Sequence, residues 1–281
     1  MLGKLIKHEF RASGRTMLPF LGAVLALAVL AGISARMIDT DRDYGLLQVL
    51  FGLFIFLFVM GIIAVCVVAF VVMIQRFHKN LLNDEGYISF TLPVTADEHI
   101  FSKLIVSFLW FLATGVVLMI AVLVMTLTTV PGAIGWEDFR GIFGPDGVLN
   151  ASRIWEVFSV WDIVGYVLEG ILTLFIISCG MCLHFYAAMA IGYSFANRKA
   201  LLSVVFYFVL SAVMSVLQNI AISVTGNTGI FEALSSINMS NVSTSAAGHI
   251  AMLVICGAGL LEAALYYIPT TLCLRKRLNL A

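Results

Sequence analysis

The sequence predicts an all-α integral membrane protein with six transmembrane helices, an N-terminal interfacial amphipathic helix and both termini cytoplasmic. Three observations carry that expectation. The 281 residues are 61% hydrophobic and only 11% charged, against about 25% charged in a soluble domain. Uncharged or nearly uncharged runs long enough to cross a bilayer, which takes about 20 residues, recur six times. Lys and Arg are also divided unevenly between alternate connecting segments. In water such a chain would have too little polar surface to cover itself. Its 16 basic and 16 acidic residues cancel, so no nucleic-acid partner is expected; the lipid bilayer is.

A single transmembrane domain, residues 1–281, holds these elements in order. Residues 1–16 read as a helix of their own. At ~100° per residue, Lys4, Lys7, His8, Arg11 and Arg15 share one arc, and Leu2, Leu5, Ile6 and Phe10 lie opposite. Only Glu9 intrudes on the apolar side. That segregation suits a helix lying among the headgroups, with Gly14 allowing a turn into the first span; a plain positive flank is the simpler alternative. The spans are Met17–Ala35, Leu46–Ile74, Leu104–Val130, Ile163–Phe195, Ala200–Val224 and Ile250–Leu274. Backbone amides in lipid must be satisfied within each segment, so the runs are helices. The first is too long for the apolar core of a cleavable signal peptide, and no clean cleavage site follows it. Alternate flanks carry 12 of the Lys and Arg residues on one side and 4 on the other. The richer side, with both termini, is cytoplasmic.

The loop from Arg76 to Lys103 is the most informative non-membrane stretch. Asn83-Asp84-Glu85-Gly86 signals a helix stop, and Pro93 prevents a helix from continuing. Thr95-Ala96-Asp97-Glu98 matches a capping box, in which Thr95 and Glu98 satisfy each other's backbone N–H. Between stop and start lies an apolar piece (Tyr87, Ile88, Phe90, Leu92, Val94) too short to span and too apolar to be left in water. It must bury itself against headgroups or a partner protein.

These features together resemble an ABC type-2 transporter permease of the short six-span class. The resemblance rests on an IKHEFR-like stretch at Ile6–Arg11, on NDEGYISFTLPVT at Asn83–Thr95, and on the span layout. It implies an interfacial elbow at the N-terminus and a coupling element in the second-to-third-span loop. By position, Asp84, Glu85, Gly86, Tyr87, Phe90, Leu92, Pro93 and Val94 would dock an ATPase subunit. The implied assembly has two permease chains, identical or related, and two ABC ATPase subunits in a bacterial cytoplasmic membrane. ATP would be bound by the partner and no cofactor by this chain.

No P-loop, H-E-x-x-H or G-x-S-x-G pattern occurs, so enzyme activity is not expected. Cys66, Cys179, Cys182, Cys256 and Cys273 fall within spans and read as buried packing residues. Three ionisable residues interrupt the spans. Glu169 sits toward the outer end of the fourth, at headgroup level. His184 and Glu262 both lie about 17 Å from the cytoplasmic ends at ~1.5 Å per residue, near mid-bilayer. Charges there usually face a bundle interior and find a partner. The two could meet in a central cavity, or each could bond a neighbouring Ser, Thr or Tyr. The runner-up function is a secondary transporter or channel without an ATPase. The third-to-fourth-span loop, with Trp136, Trp155 and Trp161, suits an interfacial segment. Thr225–Gly248 is either re-entrant or a loop.

Overall fold

The computed structural model describes residues 2–38, 46–82, 94–129, 159–195, 198–227 and 244–276. Helix is the only regular structure among them, arranged as α1 (Leu2–Ile38), α2 (Leu46–Phe77), α3 (Ala96–Thr129), α4 (Val160–Gly192), α5 (Lys199–Asn227) and α6 (Thr244–Lys276). A π-helical turn, His78–Leu82, extends α2. Each of the six helices is long and apolar enough to cross a membrane. Large side chains that would be intolerable in water point outward, including Met119 at 75% and Val49 at 74% exposure. This is a multi-pass membrane protein.

Leu2–Ile38 is one helix, and the turn expected at Gly14 does not occur. The reason is packing: Gly14 is buried, and a Cβ there would lie 3.4 Å from the Trp110 ring on α3, so the bare backbone seats α1 against that ring. At ~1.5 Å per residue the helix is about 55 Å long, well beyond the ~30 Å hydrocarbon layer. Its basic N-terminal turns therefore continue the first helix as an overhang.

The chain divides into two compact units, Met1–Gln75 with Phe101–Ile154 and Arg76–Ile100 with Trp155–Ala281. In the first, α1 buries Met17, Leu21, Val24, Ala28 and Ala31. The alternating steps of four and three are the seam of a left-handed helix pair. Phe58, Val65 and Ala69 of α2 and Val106, Trp110 and Ala121 of α3 complete this core. α1 and α3 run parallel in a nearly constant register: Glu9 meets Lys103, Phe10 stacks on Trp110 at 4.8 Å, and Gly32 abuts Thr128.

The second unit repeats this logic with other residues. α4 and α6 run parallel, with Gly248 against Tyr166, Gly259 against Ile176 and Thr173 bonded to Cys256 at 3.1 Å. α5 returns antiparallel along α4. Gly192 makes the hairpin close, since a Cβ there would fall 2.5 Å from the Ser203 backbone nitrogen.

Candidate functional site

The expected docking residues Asp84, Glu85, Gly86, Tyr87, Phe90, Leu92 and Pro93 lie outside the described residues; Val94 is described and half-buried. Both flanks of that segment are held firmly within the second unit. On the approach side, Phe77 is fully buried and stacks on Tyr186 of α4 at 3.9 Å. His78 hydrogen-bonds the Tyr193 hydroxyl at the C-terminal end of α4, and Leu81 and Leu82 of the π-turn are buried. π-turns of this kind are rare and recur at functional positions.

On the departure side, the capping box forms as its sequence requires. The Thr95 N–H donates to Glu98 Oε2 at 3.2 Å, and the Glu98 N–H donates to Thr95 Oγ1 at 3.3 Å. Asp97, in the first turn of α3, is then free of capping duty. It accepts a hydrogen bond from the Tyr267 hydroxyl at 2.8 Å and pairs with Arg275, both near the C-terminal end of α6. One flank thus grips α4 and the other grips α6.

His184 lies between two tyrosine rings, Tyr207 of α5 at 4.5 Å and Tyr266 of α6 at 4.6 Å, nearly parallel to both. Its Nε2 stands 3.2 Å from the Tyr207 carbonyl oxygen and 3.2 Å from Ser211 Oγ. A carbonyl only accepts, so Nε2 carries the proton that makes this bond. Glu262 lies one helical turn before Tyr266. No hydrogen bond or ion pair joins it to His184 among the described residues. The imidazole is instead satisfied by neighbours on α5 and shelved between aromatic faces.

A third cluster gives Glu169 a different role from that expected of a lone residue at headgroup level. Its carboxylate accepts from His249 Nδ1 at 2.8 Å. On the opposite edge of the imidazole, Nε2 stands 3.6 Å from Asp162, and Tyr166 stacks on the ring face at 4.1 Å. Asp162 also accepts the Ser159 N–H at 2.9 Å, capping α4. Gly165 and Gly248 leave room for the ring and the Tyr166 hydroxyl. The two carboxylates face different edges of one ring and do not converge. Among the described residues no group of three or more His, Cys, Asp or Glu side chains is arranged to hold a metal. The sequence held a signal for this cluster: Asp162, Tyr166 and Glu169 fall on one helical face, and His249 opens the next helix that enters from the same side.

No family model, curated protein or solved structure matches this chain.

Proposed function

We propose that this chain is the membrane-spanning permease subunit of an ATP-driven exporter, energised by a separate ATPase that docks on residues 83–94. The reading is supported above all by the anchoring of that segment's two flanks. Displacement of an apolar loop held at one end through His78–Tyr193 and at the other through Asp97–Tyr267 and Asp97–Arg275 would be passed directly to α4 and α6. A loop that only connected two spans would not need such attachment. The proposed orientation places both termini and this loop in the cytoplasm of a bacterial cell. The working assembly pairs two such chains with two ATPase subunits, and ATP stays on the partner.

The test is Tyr87→Asp with Phe90→Asp. The double variant should insert normally yet lose the co-purifying P-loop ATPase. Retention at the stoichiometry of the parent chain contradicts the docking assignment. A second reading, a gradient-driven transporter, is supported by the two units of three helices, each with its first and third helices parallel, because inverted three-helix repeats occur in such transporters. Substrate movement by the chain alone, without any ATPase, would favour it.

A further inference from the structure

We propose that the groove between α1 and α3 seats an anionic phospholipid, with one acyl chain along its apolar floor and the phosphate between Arg11 and Arg15. The groove measures about 690 Å³ and lies wholly within the first unit, a volume within the usual range for small-molecule sites. Its walls are graded along their length. Arg11 and Arg15 mark the N-terminal end, while Leu18 of α1 and Trp110, Ala113 and Val117 of α3 line the remainder. The arginines are i,i+4 neighbours on one helix face, exposed, and without an ion-pair partner among the described residues. The nearest carboxylate along the helix, Glu9, is already committed to Lys103.

Charge complementarity selects the occupant. An apolar trough open to lipid would accept any acyl chain. Two guanidiniums at its headgroup end, with no ion-pair partner among the described residues, favour a phosphate whose charge is not cancelled by choline. Arginine binds phosphate through a planar fork of donors that suits two oxygens at once. Gly14 leaves the wall beside Trp110 bare, since a Cβ there would stand in van der Waals contact with the ring at 3.4 Å.

The test uses the full chain with Trp136, Trp155 and Trp161 changed to Phe, so that emission comes from Trp110. It is reconstituted in vesicles containing equal mole fractions of chain-brominated phosphatidylglycerol or phosphatidylcholine. Phosphatidylglycerol should quench Trp110 at the lower mole fraction, with a preference of about fivefold for each arginine. Arg11→Gln with Arg15→Gln should abolish the preference while leaving quenching by phosphatidylcholine unchanged, and the corresponding Lys pair should restore part of it. Lys4→Gln with Lys7→Gln, on the same basic face but outside the groove, should leave it intact. Equal quenching by the two lipids in the parent protein overturns the proposal. So does a preference that survives loss of both arginines, or one lost with Lys4 and Lys7 instead, which would mean diffuse surface attraction. If the glutamine pair fails to insert, the parent chain decides: the preference must fall as salt rises, and a salt-independent preference overturns the site.

Discussion

Lys103 of α3 donates to Glu9 of α1 at 2.6 Å, with the ammonium side chain 2% exposed and the carboxylate side chain 12%. Both charges are out of solvent, so each depends on the other for compensation. Removing one partner of a buried pair typically costs about 3–5 kcal/mol, whereas replacing both by apolar groups is often neutral. Glu9→Gln and Lys103→Met should each destabilise strongly. Glu9→Leu combined with Lys103→Met should recover most of the loss. Unfolding of the purified variants in detergent measures all three, and equal damage by the double change would remove the pair from the list of fold determinants.

Glu9 also shows how far the sequence could be read. The six spans were legible because run length and lack of charge decide them locally. The start of α3 was legible because Thr95 and Glu98 carry a local hydrogen-bond pattern. Within residues 2–15 the basic arc is exposed, but Phe10 on the opposite side is 42% exposed too, and a wheel does not say what a face meets. The one residue out of place on the apolar side, Glu9, is the one that α3 requires. Glycine led the reading astray in the same region, since Gly14 reads locally as a turn and serves here as a close contact. The pairing of His249 with Glu169 and Asp162 was missed because it depends on which helices are neighbours.

Glycine 32 and glycine 52 make a controlled comparison. A Cβ on Gly32 would overlap Thr128 and approach the Met125 carbonyl oxygen to 2.7 Å, while Gly52 has nothing within 4 Å. Gly32→Ala should cost about 1–3 kcal/mol through overpacking. Gly52→Ala should be neutral or stabilising by up to about 1 kcal/mol through helix propensity. Thermal unfolding of the pair separates them, and similar melting temperatures would contradict the α1–α3 register.

The parallel register of α4 and α6 can be trapped chemically. Thr173 Oγ1 lies 3.1 Å from Cys256 Sγ, so a sulfur at that position needs only a small shift to reach a disulfide bond length. Thr173→Cys should cross-link to Cys256 under mild oxidation, seen as an intramolecular linkage in a peptide map. Cross-linking of Cys256 to Cys179 or Cys182 of α4 instead would place α6 in another register.

His184 should couple energetically to Ser211 and not to Glu262. A double-mutant cycle of His184→Phe with Ser211→Ala should give about 0.5–3 kcal/mol of interaction, as for residues in contact. The cycle with Glu262→Gln should be additive within about 0.5 kcal/mol. A large coupling to Glu262 would revive the direct pairing that the hydrogen bonds of His184 argue against.

The mass of the intact assembly bears most directly on the proposed role. Native mass spectrometry of the complex extracted from its own membrane should show two copies of this chain with two copies of a P-loop ATPase. Tyr87→Asp with Phe90→Asp should reduce it to the permease chains alone. A single chain without an ATPase, yet moving a substrate after reconstitution, would contradict the permease reading.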